Sequence, residues 1–319
     1  METRSIGKLD ASVVGLGCNN FGGRIDEAAT KTVVDAALDA GITMFDTADS
    51  YGGTRSEEFL GRALGSRRDE AIVATKFGSP IDEERKGGAS AAYIARAVED
   101  SLKRLGTDRI DLYQLHFPDA ATPFEETIGA LDKLVRDGKV LEIGGSNFSA
   151  DQIDETSRIS ADRKQARFVS VQNEYSLIRR GPERFGVLDA CARSGLAFIP
   201  YFPLASGVLT GKYHRDEAPP AGTRLAGMPA ERVDSALAPK VFDRVEALDA
   251  WARDHGHTLL ELAISWLLAR PTVATVIAGA TRPEQVQANA AAAAWPLTDD
   301  DLREIDAVLD QAKAKENDS

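Results

Sequence analysis

Asp46, Tyr51, Lys76 and His116 are the residues of this sequence whose types and positions best suit shared chemistry. Asp46, Lys76 and His116 each end a run that reads as a β-strand, and Tyr51 follows Asp46 by a short turn. In a barrel of parallel strands, side chains at the carboxyl ends of the strands meet over one mouth. An acid, a phenol, an ammonium and an imidazole gathered there could tune and deliver one proton. Tyrosine alone is a poor donor near neutrality, because its unperturbed pKa is about 10. An adjacent ammonium stabilises the phenolate, so Lys76 is expected to lower that value, while the Asp46 carboxylate keeps the lysine charged in a partly dry site. Singly, each residue has a plainer explanation: an Asp before Thr47 caps a turn, and a lone histidine is more often a satisfied core residue. The ordered set carries the chemical reading.

The elements that must position these residues follow from periodicity. Short β-branched runs alternate with helical patterns from Val13 onward, the mark of repeated βα units and a parallel sheet. The strands are expected at 13–17, 43–46, 71–76, 110–116, 140–146, 168–174, 197–201 and 275–278. Eight such units predict a (β/α)8 TIM barrel, an α/β fold, formed by the whole chain 1–319 as one domain. Helices are expected at 27–40, 56–64, 91–105, 124–137 and 246–255, among others. Residues 4–6 and 9–12, turning at Gly7 and Lys8, predict an N-terminal β-hairpin that closes the barrel's bottom. A long Pro- and Gly-rich loop, 202–238, follows strand seven and is placed to act as a lid; a short helix, 283–289, follows strand eight, where barrels often hold a phosphate. Ser56 with Glu57 and Glu58 reads as an N-cap with acids in the first turn.

Phe21, Phe77, Phe117 and Phe202 each fall just past a strand end and are candidates to line an apolar substrate pocket, with core packing as the plain alternative. GLGCNNFGG near the start has the wrong spacing for a dinucleotide fingerprint, and His255-Gly-His257 lies at a helix end, away from the strand termini where a barrel metal site would be needed.

Composition bounds the partners. The 319 residues carry 38 Lys and Arg against 50 Asp and Glu, a net charge of −12, which disfavours nucleic acid or an anionic membrane as the main partner. An anionic ligand must therefore meet a local basic pocket. Two distant cysteines, Cys18 and Cys191, form no CxxC pattern, and a reducing cytoplasm is expected. The opening METRSIGKLDAS lacks an apolar signal core and no stretch is long and apolar enough to span a membrane, so an unprocessed, soluble chain is expected.

GITMFDTADSYG, IVATKFG and DLYQLHFP, in that order and spacing, resemble the signature segments of the aldo/keto reductase superfamily. GGSNFS, VQNEYSL, PYFPLASGVLTGKY and VIAGATRPEQVQAN resemble its cofactor segments, and the likeness spans nearly the whole chain. It implies NADP-dependent reduction of aldehydes or ketones to alcohols, or the reverse, by direct hydride transfer, with Tyr51 as proton donor, His116 orienting the carbonyl, and no metal. It further implies that Ser146, Asn147 and Gln172 hold the nicotinamide carboxamide, that Tyr201 stacks on that ring, and that Leu204, Ser206, Gly207 and Lys212 clasp the pyrophosphate side. Gly279, Thr281, Arg282, Gln285 and Asn289 match positions around the ribose phosphate and adenine, with Arg282 set for a 2′-phosphate, so NADPH is favoured over NADH.

The chain departs from some branches, which have Lys-Ser where Gly279-Ala280 stands, and Arg and Glu where Gln285 and Ala288 stand; the closing AKAKENDS lacks the long substrate loop of others. The same superfamily resemblance extends to channel-associated proteins that hold NADPH, so a regulatory or redox-sensing subunit with little turnover is the competing expectation. A Schiff base on Lys76 is a third.

Overall fold

The computed structural model describes residues 1–317; Asp318 and Ser319, the end of AKAKENDS, lie outside the described residues. The hairpin β1 (Thr3–Ile6) and β2 (Leu9–Ser12) pairs antiparallel, with Ile6 opposite Leu9. Eight parallel strands then close a barrel: β3 (Val14–Gly17), β4 (Met44–Asp46), β5 (Ile72–Phe77), β6 (Ile110–Leu115), β7 (Val140–Ser146), β8 (Phe168–Glu174), β9 (Ala197–Tyr201) and β10 (Val276–Gly279). They neighbour one another in chain order, and β10 closes the ring by pairing with both β9 and β3. This is a (β/α)8 TIM barrel with an N-terminal hairpin.

Helices α1 (Glu27–Asp39), α2 (Arg55–Leu64), α3 (Ala91–Leu105), α4 (Phe124–Arg136) and α5 (Ala150–Arg163) follow β3 to β7 in turn. After β8 come α6 (Gly181–Arg184) and α7 (Val187–Ser194); after β9, α8 (Ala230–Ala236), α9 (Pro239–Asp254) and α10 (Leu259–Leu268); after β10, α11 (Pro283–Ala291) and α12 (Asp299–Asn317). Local chemistry sets their starts: the side chain of Asp26 caps α1, Ser90 caps α3, and Ser149 with Gln152 and Thr258 with Glu261 form capping boxes on α5 and α10. No helix among the described residues is long and apolar enough to cross a membrane.

Two details differ from expectation. The 202–238 stretch is not a plain loop: it contains tight turns over Ala205–Thr210 and Leu225–Gly227, then α8. Helix α9 begins at Pro239 rather than near residue 246, because a proline at the first helical position costs no hydrogen bond.

The period-two alternation of the strands divides side chains between two cores. Odd and even positions separate cleanly: Met44, Ala74 and Leu112 point into the barrel, while Phe45, Val73 and Tyr113 join the larger core between strands and helices. Inside, Ile6, Leu9 and Ala11 of the hairpin pack with these barrel residues and plug the bottom. The interior is filled below, so among the described residues the barrel is left open to a ligand at the carboxyl ends of the strands.

Candidate active site

The same alternation brings the polar residues together. Asp46 lies two positions after Met44, Lys76 two after Ala74, and Gln114 two after Leu112, so all three face the barrel axis one layer above the apolar plug. Lys76 Nζ donates to Asp46 Oδ2 at 2.7 Å and to the Thr47 carbonyl at 2.8 Å. Asp46 Oδ1 accepts from Gln172 Nε2 at 2.9 Å and Gln114 Nε2 at 3.3 Å. Both charged residues are almost fully buried. Burial works to discharge the Lys76 ammonium, but the Asp46 carboxylate and the Tyr51 hydroxyl more than offset it, and its pKa stands above the ordinary value.

Tyr51 opens a tight turn directly after β4, where Gly52 and Gly53 adopt left-handed backbone (φ +60° and +65°). A Cβ on Gly52 would lie 2.4 Å from the Phe21 carbonyl oxygen, so the turn requires glycine there. The Lys76 ammonium lies 5.0 Å from the centre of the Tyr51 ring. The expected lowering of the tyrosine pKa is not the net result. Burial raises it, Lys76 lowers it, Asp46 raises it again, and the hydroxyl ends above its usual value. Lys76 moderates the penalty of burial rather than reversing it, and Tyr51 stays protonated near neutrality, as a proton donor must.

His116 stands one residue beyond β6, its backbone N–H still bonded to the Phe77 carbonyl at 2.9 Å. Its ring lies edge-to-face with Tyr51, centroids 5.7 Å apart, and stacks on Phe117 at 4.9 Å. Burial, reinforced by the Lys76 charge, pushes its pKa down to about 3. The imidazole is therefore neutral. Ser79 Oγ lies 2.9 Å from its Nδ1, and Asn147 Nδ2 donates to its backbone carbonyl at 3.0 Å.

These residues border a cavity of about 590 Å³ at the mouth. Asp46, Tyr51 and His116 line it; Lys76 does not, and sits beneath them. All thirteen residues expected to hold a cofactor line the cavity: Ser146, Asn147, Gln172, Tyr201, Leu204, Ser206, Gly207 and Lys212 from β7 to the loop after β9, and Gly279, Thr281, Arg282, Gln285 and Asn289 from the end of β10 through α11. Among their mutual bonds, Ser146 Oγ donates to the Gln172 carbonyl at 2.8 Å, Tyr201 Oη to Asn147 Oδ1 at 2.8 Å, and Gln285 Oε1 accepts from the Thr281 backbone N–H at 2.8 Å. Asn147, Phe202 and Ser206 hold left-handed backbone, a cost of order 1 kcal/mol or more each that surrounding packing must sustain.

Of the four phenylalanines, Phe117 and Phe202 line the cavity and are partly exposed. Phe21 and Phe77 do not: both are fully buried in the outer core. Strand parity explains Phe77, which follows inward Lys76 and so points outward, stacking on Tyr113 at 4.7 Å. Phe21 folds away in the turn beneath Gly52. The N-cap reading of Ser56 is also corrected. Thr54 occupies the cap, while Ser56 Oγ bonds the Cys18 carbonyl and Thr47 Oγ, and the buried Glu57 joins Thr75 to Arg104, pinning α2 to the barrel. His255 and His257 each stack on a different tryptophan, Trp251 and Trp295.

Arg24 and Arg224, which periodicity did not single out, join Lys212 and Arg282 around the cavity. Arg24 donates to the Gly222 carbonyl at 2.8 Å, bridging the mouth, and Arg224 lies over the Phe202 ring. Lys212 and Arg224 have no carboxylate partner among the described residues, and burial, followed by repulsion from Arg24, lowers the pKa of each, with Arg282 and Arg224 adding to the effect at Lys212. Unneutralised cations around a deep cavity, in a protein of charge −12, suit a polyanionic ligand such as a dinucleotide. Loops carry these arginines, so no period could reveal them. Gln114 was legible, two positions before His116 on the same strand face.

The model of the aldo/keto reductase family matches residues 13–310. The chain belongs to that family. It is 34% identical to aldo-keto reductase YhdN of Bacillus subtilis (strain 168), over 97% of this chain and 94% of that protein. It is equally 34% identical to a probable voltage-gated potassium channel subunit beta of Arabidopsis thaliana, over 91% and 90%, and 32% identical to the L-glyceraldehyde 3-phosphate reductase of Escherichia coli (strain K12), over 91% and 86%. This aldo/keto reductase relative thus has both named reductases and named channel subunits among its similar proteins.

Proposed function

We propose that this protein is an NADP-dependent reductase of small aldehydes or ketones, working reversibly and without a metal, in the cytoplasm. The observation that carries the reading is the stack of Asp46, Lys76 and Tyr51 beside a neutral His116 at the floor of a cation-lined cavity. A bound nicotinamide dinucleotide phosphate would supply the hydride. The chain's own residues do the rest. Tyr51 Oη donates its proton to the carbonyl oxygen as charge develops there. Lys76, kept charged by Asp46, stabilises the phenolate left behind. His116, neutral, orients and polarises the carbonyl through a hydrogen bond rather than by proton transfer.

Ser146, Asn147 and Gln172 would present amide and hydroxyl groups to the nicotinamide end, and Tyr201 a ring face. Lys212 with the Leu204–Gly207 turn would take the pyrophosphate, and Arg282 at the start of α11 would take a 2′-phosphate, which favours NADPH over NADH. Phe117 and Phe202 line the open side and suit an apolar substituent on the substrate. Two buried unpaired cysteines are compatible with a reducing compartment.

The test is NADPH consumption with an activated aromatic aldehyde, comparing the protein with Tyr51→Phe. Turnover lost in the variant alone supports the reading. The similar potassium channel subunits favour a second reading, a cofactor-holding regulatory subunit; tight NADPH binding with no turnover across a broad carbonyl panel would select it.

A further inference from the structure

A neutral imidazole carries one N–H, and which nitrogen bears it decides whether the ring can act on a carbonyl. If the proton sits on Nδ1, His116 offers the cavity a lone pair, and a carbonyl oxygen brought there meets repulsion. If it sits on Nε2, the ring offers a donor. We propose that Ser79 is the positioning residue that holds His116 in the Nε2–H tautomer, by donating its hydroxyl proton to Nδ1.

The geometry supports this assignment. Ser79 Oγ and His116 Nδ1 are 2.9 Å apart, and Ser79 is buried. Among the described residues the Ser79 hydroxyl has no other hydrogen-bond partner. With the proton on Nδ1, the serine would accept one bond and leave its own hydroxyl hydrogen without a partner in a buried setting. With the proton on Nε2, both groups are satisfied, and burying an unmade hydrogen bond is the costlier state. Protonating both nitrogens is disfavoured because burial and the Lys76 charge keep the ring neutral.

The ring cannot easily turn to evade this bond. Phe117 stacks on one face, Tyr51 meets it edge-to-face, and its backbone is tied to Phe77 and Asn147. The serine is equally fixed. It follows Gly78, whose carbonyl accepts the Gly88 N–H at 2.9 Å, and a Cβ on Gly87 would lie 2.3 Å from that same carbonyl oxygen. The loop after β5 is thus folded back on itself in a form that needs glycine, and it delivers one hydroxyl to one nitrogen.

The consequence for turnover rests on the reductase reading; the tautomer itself does not. Long-range 1H–15N spectra of the apo protein, with His116→Gln used to assign its signals among the four histidines, should report an unprotonated Nδ1 and a protonated Nε2. Ser79→Ala should redistribute that pattern and lower kcat by about ten-fold with the KM for NADPH unchanged, and Ser79→Thr should restore both. A wild-type ring protonated on Nδ1 overturns the proposal whatever the activity, as does a Ser79→Ala protein whose tautomer and kcat are both unaltered. A wild-type protein without turnover, but with the Nε2–H tautomer lost in Ser79→Ala, counts against the reductase reading and upholds the role of Ser79.

Discussion

Lys76 Nζ lies 2.7 Å from Asp46 Oδ2, and of the pair only Asp46 reaches the cavity wall, the lysine being sealed beneath it. Its charge acts on Tyr51, whose ring it faces at 5.0 Å, and on His116, whose protonation it opposes. Removing one member of a buried pair strands the other, at a typical cost of about 3–5 kcal/mol. Lys76→Met should therefore lose both stability, seen in denaturant midpoints, and at least about a hundred-fold in kcat. A Lys76→Met protein with wild-type turnover would remove the lysine from the proton-donating unit.

His116 sets an acid limit on stability. Its pKa falls from 6.5 to about 3 on folding, so between those values the unfolded chain binds more protons than the folded one. Stability then rises with pH across that window and is complete above 6.5. His116→Gln should flatten this part of the pH–stability curve. An unchanged slope from pH 4 to 6.5 would contradict the neutral-ring assignment.

Asp49 works in the opposite sense. It is buried at the base of the Tyr51 turn, neither carboxylate oxygen makes a hydrogen bond among the described residues, and Glu57 beside it already engages Arg104. Burial first, then Glu57, raises its pKa from 3.8 to about 7. The folded protein holds this proton more tightly than the unfolded one, so stability is fully present below about pH 4 and declines as pH rises through 7, by an amount on the order of 4 kcal/mol. Asp49→Asn should stabilise the protein at pH 8 and have little effect at pH 4. Equal melting temperatures of the two proteins at pH 8 would dispose of the argument.

The cavity cations predict a cofactor preference. Arg282→Ala should weaken NADPH binding by about ten-fold and leave NADH nearly unaffected, because only the former carries the 2′-phosphate. Lys212→Ala should weaken both. Fluorescence titration separates the two patterns, and parallel losses in Arg282→Ala would move that arginine off the 2′-phosphate.

Gly52→Ala tests the turn that carries Tyr51. With φ at +60° and the Phe21 carbonyl 2.4 Å from the new Cβ, the turn must shift. A loss on the order of 1–3 kcal/mol is expected, together with reduced kcat. Retention of both would mean that the turn has slack the close contact denies.

The order of elements was legible because strand and helix periods are local. Asp46, Lys76 and Gln114 share a face with Met44, Ala74 and Leu112 through a period of two, and the barrel closes because each βα unit buries its own outer face. The same parity would have excluded Phe77 from the pocket, since it follows an inward lysine. What the one-dimensional pattern could not supply was set by contacts between distant segments. Ser79 meets His116 across 37 residues, Arg24 meets Gly222 across 198, and Glu57, read as an acid in the first turn of a helix, is drawn into a buried network with Thr75 and Arg104. Protonation was decided at that level too. Chemistry alone expected Lys76 to lower the Tyr51 pKa, but desolvation depends on how completely the folded chain excludes water, and at this site it outweighs the ammonium.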